Sequence, residues 1–259
     1  MISSLKGQNV LITGASSGFG WYSALNFAKY DSNLILFARR MERLEKLKEE
    51  IRILYPTISV RIYKVDVSNK QSIEEAFKQV NTDIKRIDIL VNNAGLSQGS
   101  DPLRTISEES IDIMINTNVK GLVWVTQLVL PGMLQRNSGH IINVGSIAGL
   151  NTAPVLSVYG ATKHAVHALS ESLRIETVSS NIKVSEICPG LAETEFGGVC
   201  FNGDEEKEDQ IYGNMELLTG QDVADMILFI ASRHPRCVIS QAVILPVSQA
   251  NTFVVHRQK

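Results

Sequence analysis

Tyr159 and Lys163 stand four residues apart in Tyr159-Gly160-Ala161-Thr162-Lys163. Positions i and i+4 of a helix share a face, so the phenol and the ammonium can enter one cleft. A tyrosine with its ordinary pKa of about 10 is a poor acid–base catalyst at neutral pH. A neighbouring cation favours the phenolate and lowers that value. Bringing it to about 7 takes roughly 4 kcal/mol of differential stabilisation. By itself the spacing describes any helix face, and its weight depends on what lies upstream.

Upstream, Thr13-Gly14-Ala15-Ser16-Ser17-Gly18-Phe19-Gly20 follows an apolar run at 9–13 and opens a helical pattern. Glycines there permit positive φ and close backbone approach, and a helix N-terminus attracts a pyrophosphate. The spacing G-x-x-x-G-x-G departs from G-x-G-x-x-G. Its place between strand and helix favours a dinucleotide site over a plain tight turn, with Gly14, Ser16, Ser17, Gly18, Phe19 and Gly20 as contacts. The next apolar run ends Phe37-Ala38-Arg39-Arg40. NAD-selective sites place an acid here for the ribose 2′-hydroxyl, whereas an arginine accommodates a 2′-phosphate. The acid is absent, so Arg39 and Arg40 favour NADP over NAD; the alternative is two exposed arginines at a strand end. Asp66 and Val67 end the third strand, where an adenine would lie. Asn92-Asn93-Ala94-Gly95 ends the fourth: the asparagines can bridge strand ends and Gly95 can let a cofactor pass, or all four are turn chemistry.

These segments need a scaffold, and the chain alternates apolar runs with helical patterns. Strands are expected at 9–13, 33–38, 60–65, 87–92, 140–144, 183–187 and 242–245. Helices are expected at 18–30, 41–54, 70–80, from the N-cap Ser107 to about 136 in two pieces, and at 158–180 and 221–232. Continuously apolar strands between helices indicate a parallel sheet covered on both faces, in a single doubly wound Rossmann-type α/β domain spanning 1–259. Residues 192–214, with Gly197, Gly198, Gly203 and the charged run 204–209, read as a substrate lid over the carboxyl edge of the sheet.

Of 259 residues, 44% are hydrophobic and 20% charged, which fits a globular protein with a sizeable core. A net charge of −2 argues against nucleic acid or an anionic membrane as partner. The segment 121–134, interrupted by Thr126, Gln127 and Pro131, is read as too short to span a bilayer. Three scattered cysteines, Cys188, Cys200 and Cys237, give neither a disulfide framework nor a thiolate metal site. The N-terminus lacks an apolar leader pattern, and a reducing cytoplasmic compartment is expected. His164 and His167 flank Lys163 without metal-ligand partners; His164 is expected to be partly exposed and His167 and Cys188 to pack. A phosphate-binding NTPase is excluded because G-x-x-x-x-G-K-S/T does not occur.

Taken together, Thr13-Gly14-x-x-x-Gly18-x-Gly20, Asn92-Asn93-Ala94-Gly95, Asn118, Ser146, Tyr159, Lys163 and Pro189-Gly190 resemble the short-chain dehydrogenase/reductase family in type and order, over essentially the whole chain. The resemblance implies that Tyr159 exchanges a proton with a carbonyl or alcohol oxygen. Lys163 would lower the Tyr159 pKa and hold the nicotinamide ribose. Ser146 would orient the substrate oxygen, and Asn118 would hold a water that relays protons to Lys163. Pro189, Gly190 and Thr194 would line the nicotinamide, with Thr194 on its carboxamide. The alternative within this resemblance is a relative that binds the cofactor without turnover, as a sensor or scaffold; such relatives usually lose the tyrosine or lysine.

Leu191-Ala192-Glu193-Thr194-Glu195-Phe196 and the ending Leu245-Pro246-Val247-Ser248-Gln249-Ala250 are similar to the NADP-dependent 3-hydroxy acid dehydrogenases, which also oxidise serine and allo-threonine. That resemblance implies a homotetramer, with interfaces from helices near 111–134 and 158–180 and from the C-terminal helix and strand. One departure stands out. After Thr-Glu-Phe the group continues Ser-x-Val-Arg, whereas this chain reads Gly197-Gly198-Val199-Cys200-Phe201-Asn202, with no arginine between Arg174 and Arg233. A bidentate arginine–carboxylate contact cannot be replaced by Cys200 and is hard to replace with Lys207. Neutral ketones or alcohols are therefore expected to outperform hydroxy acids, in an apolar, mid-sized pocket near Phe196, Val199, Phe201 and Met215.

Overall fold

The computed structural model describes residues 4–83, 86–99, 101–152, 156–201 and 203–257; Asn202 and the Lys207 side chain lie outside the described residues. Seven parallel strands form one sheet. β1 (Asn9–Thr13), β2 (Asn33–Ala38) and β3 (Val60–Lys64) occupy one half, and β4 (Ile89–Asn92), β5 (Gly139–Val144), β6 (Ile182–Pro189) and β7 (Gln241–Ile244) the other. The order is β3-β2-β1-β4-β5-β6-β7. β1 thus pairs with β2 on one side and β4 on the other, and the chain reverses its direction of growth there. In such folds a ligand crevice lies outside the carboxyl ends of the strands at this point of reversal, here between β1 and β4.

Strand residues alternate between two helical layers, as the strand period of two requires. Val10, Ile12, Leu34 and Leu36 pack with Phe27 of α1 (Gly18–Lys29), with Leu44, Leu47 and Ile51 of α2 (Met41–Leu54), and with Val223, Ile227 and Ile230 of the later helix Gly220–Ala231. Leu11, Ile35, Phe37 and Leu90 face the other layer, against Ile73, Phe77 and Val80 of α3 (Lys70–Asp83) and Val125, Val129 and Met133 of the helix Leu122–Gln135. β3 departs from the continuously apolar pattern: Arg61 and Lys64 are exposed because it is an edge strand, and charges there discourage pairing with other chains.

Between β4 and β5 the structure holds one continuous helical run rather than two pieces. α4 (Glu108–Ile115) passes through a π-helical turn (Asn116–Gly121) into α5 (Leu122–Gln135), and Ser107 caps its start by accepting from Ser110 N. This 28-residue run is long and apolar enough to cross a bilayer on those two measures, which corrects the reading of 121–134 as too short. Here it lies against α3 and the sheet, with buried Asn118 and Thr126 hydrogen-bonded inside the fold. α6 (Ser157–Glu176) ends sooner than expected, at a turn closed by Ser180 N on Thr177 O. β6 runs two residues past its expected end because Cys188 and Pro189 pair with Val243 and Ile244 of β7. The lid segment holds two short helices, α7 (Phe196–Cys200) and α8 (Glu205–Tyr212), before α9 (Gly220–Ala231).

Candidate active site

The ends of β1 and β4 are stitched together. Thr13 Oγ1 accepts from the amides of Asn93 and Ala94, both at 3.0 Å. Asn93 Nδ2 donates to Thr13 O and Gly14 O at 2.9 and 3.2 Å. Asn92 Nδ2 donates to Thr126 Oγ1 and Asn143 Oδ1, linking β4 to α5 and β5. This clamp fixes the glycine-rich turn. Gly14 has φ +67°, and a Cβ on Gly20 would sit 2.4 Å from Gly14 O, so only glycine lets helix α1 begin this close to the strand.

Ser16 and Ser17, at the start of α1, accept hydrogen bonds from Arg40: Nε and Nη2 reach Ser16 Oγ at 3.2 and 3.1 Å, and Nη2 reaches Ser17 Oγ at 2.8 Å. Arg40 Nη1 pairs with the lid residue Glu195 at 2.7 Å, and Arg43 pairs with the other oxygen of the same carboxylate. Arg39 is exposed and makes no hydrogen bond or ion pair with the described residues. Asp66 is half-buried and turned inward: its Oδ1 accepts from the Ser68 amide and hydroxyl. Val67 is buried where β3 leaves the sheet. Gly18 lies under the lid's entrance, since a Cβ there would touch Thr194 Cγ2 at 3.4 Å.

The second cluster sits at the carboxyl ends of β4, β5 and β6. Tyr159 and Lys163 are buried on one face of α6. The Tyr159 hydroxyl is hydrogen-bonded to Ser146, whose Oγ also accepts from Ala148 N at 3.1 Å. Burial pushes the Tyr159 phenol above its ordinary range, and the Ser146 bond pulls it part of the way back. Lys163 Nζ donates to Val144 O at 2.8 Å and lies 5.8 Å from the Tyr159 ring centroid. Burial holds it at about 8. In the protein alone, burial is the dominant influence on the phenol and Ser146 the one that opposes it.

The Asn118 amide is fully engaged. Its Nδ2 donates to Leu96 O and Thr162 Oγ1 at 2.7 and 3.0 Å, and its Oδ1 accepts from Leu96 N at 2.9 Å. Thr162 Oγ1 in turn donates to Tyr159 O at 2.7 Å. Asn118 thereby ties the loop after β4 to the turn of α6 that carries the tyrosine. Thr162 was not foreseen, because a threonine inside a helix carries no signal of its own. A Cβ on Gly95 would meet Lys163 Nζ and Asn118 Oδ1, both at 3.4 Å, so glycine keeps the surface beside the lysine open. Pro189 ends β6, and Gly190 follows against the Gln249 side chain.

Over this cluster the lid lays Phe196 on Tyr159, edge to face, with centroids 5.3 Å apart; Phe201 packs on Tyr212 in the same manner. Phe196 and Met215 are half-buried, Phe201 is buried and Val199 is exposed. Cys200 is buried, and burial raises its thiol pKa. Cys188 is fully buried, as expected of a packing residue. His164 is exposed. His167 does not merely pack: its Nδ1 is hydrogen-bonded to the buried Glu186 Oε2 at 2.7 Å, a contact that a separation of 19 positions hid from sequence reading. Arg43 and Glu195 were likewise unforeseen as site residues; the one available signal was that Arg40 and Arg43 are three apart at the start of a helix.

Known proteins share this arrangement of chain. A family model described as short chain dehydrogenase matches residues 8–203. An NADP-dependent 3-hydroxy acid dehydrogenase of Schizosaccharomyces pombe is 40% identical over 259 residues, covering 100% of both chains. Sulfoacetaldehyde reductase 2 of Chromohalobacter salexigens is 36% identical over 250 residues, covering 96% of this chain and 98% of that one. The closed form of a serine dehydrogenase complexed with NADP+ superposes with TM-score 0.89 at 40% identity, covering 97% of this chain and 100% of the other. On the extent of these matches, the chain belongs to the short-chain dehydrogenase family.

Proposed function

We propose that the protein is an NADP(H)-dependent oxidoreductase that interconverts a carbonyl and a secondary alcohol, with Tyr159 as its acid–base group. The observation that carries this is the convergence of Ser146, Tyr159, Lys163 and Asn118 at the sheet's carboxyl edge, beside the β1/β4 crevice. NADP fits the residues present: glycines at 14, 18 and 20 let the backbone of the turn be approached closely, Gly95 leaves a path beside Lys163, and Arg39 and Arg40 stand at the end of β2. Gly14, Ser16, Ser17, Gly18, Phe19 and Gly20 would hold its phosphates, Asp66, Val67, Asn93, Ala94 and Gly95 its adenosine side, and Lys163, Pro189, Gly190 and Thr194 its nicotinamide side. When bound, it supplies or accepts the hydride. The relatives' names support the cofactor and the reaction class.

In reduction, Tyr159 Oη gives its proton to the carbonyl oxygen, which Ser146 holds in line. Lys163 then returns a proton toward the phenolate. Asn118, whose amide is committed to Leu96 and Thr162, would hold a relaying water through its main-chain carbonyl in the π turn. Burial of the phenol keeps it protonated at neutral pH, the form that carbonyl reduction requires.

We assign the substrate as a short to mid-sized ketone or 3-hydroxy acid, with neutral compounds preferred. Cys200 stands where the 3-hydroxy acid dehydrogenases carry arginine, and Glu208 on α8 adds a negative charge close to it. The second reading, a hydroxy acid or other anionic substrate, is favoured by the names of the relatives. Three free cysteines, one of them exposed, fit a reducing compartment, which we take to be the cytoplasm. The test is consumption of NADPH and NADH against matched neutral ketones and 3-keto acids. Preference for NADPH with neutral ketones is expected; efficient, saturable oxidation of serine overturns the neutral-substrate assignment.

A further inference from the structure

The lid is fastened to the cofactor crevice through one carboxylate. Glu195, the residue before α7, holds Arg40 with one oxygen and Arg43 with the other. Burial raises its pKa, but the two guanidiniums outweigh that and hold its carboxyl below the usual range. Arg40 simultaneously donates to Ser16 and Ser17. Two guanidiniums, one just past β2 and one in the first turn of α2, thus hold a single anionic group that belongs to the protein itself, and the first of them also holds the two hydroxyls at the start of α1. The ribose side of a dinucleotide meets the fold at this strand end, and arginine there accepts a 2′-phosphate. The base of the lid is anchored independently: Glu193 N donates to Leu218 O at 2.7 Å, and Leu218 N to Leu191 O at 3.2 Å. Glu195 can therefore leave the arginines without the lid's stem moving.

We propose that Glu195 competes with the 2′-phosphate of NADP(H) for Arg40 and Arg43, making it a specificity-determining residue that weakens NADP(H) binding and ties release of the lid's entrance to that phosphate. The carboxylate and the phosphate need the same N–H groups, because a guanidinium offers a fixed fork of donors. Arg40 and Glu195 side chains are 38% and 48% exposed, so each ion pair is worth little by itself. A phosphate carrying about two charges displaces the carboxylate at modest loss, and Arg43 becomes its second cationic partner. This rests on the proposed use of NADP.

The test measures binding rather than turnover. Wild type and Glu195→Gln are titrated calorimetrically with NADPH, NADH, 2′,5′-ADP and 5′-AMP. Glu195→Gln is expected to bind NADPH and 2′,5′-ADP about three- to ten-fold more tightly, the range set by two half-exposed ion pairs, with NADH and 5′-AMP unchanged. Unchanged or weaker binding of the 2′-phosphorylated ligands overturns the proposal, as does equal tightening of all four. In an Arg40→Gln/Arg43→Gln background the same substitution is expected to have no effect; tightening there would also overturn it. The wild-type preference for NADPH over NADH tests the cofactor assignment separately, because the effect of Glu195 is read as a change in that ratio.

Discussion

Tyr159 and Lys163 are both held inside the protein, and burial works against the charged form of each. The phenol keeps its proton and the lysine loses affinity for its own. Tyr159→Phe removes only the hydroxyl, and the ring keeps its edge-to-face contact with Phe196. Turnover should fall by at least about a thousand-fold, within the usual reach of general acid catalysis, while NADPH affinity stays nearly constant in a fluorescence titration. Retained activity would remove Tyr159 from the mechanism. The Lys163 environment also makes a stability prediction. Its pKa lies at about 8 in the folded protein against an ordinary 10.5, so between those values the unfolded chain binds more protons and stability rises with pH. Below about pH 8 the full penalty is present, roughly 3 kcal/mol. Lys163→Met should therefore be more stable than wild type at pH 7, and that advantage should disappear above pH 10.5. Denaturant unfolding at both pH values reads the difference; a pH-independent gap would show that the lysine is not desolvated.

At the scale of elements, the π turn at Asn116–Gly121 does the positioning. It turns Asn118 inward to hold Leu96 and Thr162, and it brings the helix backbone against the end of β3. A Cβ on Gly121 would lie 2.6 Å from Val67 O and 3.1 Å from Val67 Cβ, with main chain on both sides of the contact. Gly121→Ala must therefore push α5 away from Val67. The expected loss is about 1–3 kcal/mol of stability, the usual range for overpacking, accompanied by reduced turnover as the Asn118 bonds lengthen. A thermal melt indistinguishable from wild type would mean that the helix has slack at this point. The run from Ser107 to about 136 was expected in two pieces, and Asn116, Thr117, Asn118 and Gly121, where the helix changes character, are weak helix formers. Packing against Val67 and Leu96 keeps the run helical by widening one turn.

For the whole molecule, some of the exposed apolar side chains lie on the elements that the resemblance to the 3-hydroxy acid dehydrogenases implies as tetramer interfaces. Leu128 and Leu134 lie on the run 108–135, and Ile175 and Val178 lie at and just past the end of α6. Phe229 lies on α9, Val243 on β7, and Val247, Phe253 and Val254 beyond it. Two such separate faces allow two different two-fold contacts, the requirement for a closed tetramer with dihedral symmetry. Light scattering should give a mass four times the 28.5 kDa chain. Val247→Glu, on the C-terminal face, should reduce the assembly to a dimer through the helical face. A wild-type monomer at micromolar concentration would leave these side chains without that explanation.

The sequence alone carried the order of strands and helices, the parallel sheet and the family likeness, because each depends on local periodicity and on glycines and chemistry-bearing residues at fixed spacing. Gly14, Gly20, Tyr159 and Lys163 were legible for that reason. What tertiary structure decided involves partners distant along the chain. Arg43 meets Glu195 from 152 residues away, and Asn118 meets Thr162 from 44. Glu186 is reached by His167, a residue that by pattern should only have packed. The balance of charge at Tyr159 was also decided in three dimensions. Helical spacing places a cation near the phenol, but whether attraction or desolvation prevails depends on how completely both groups are shut away from water.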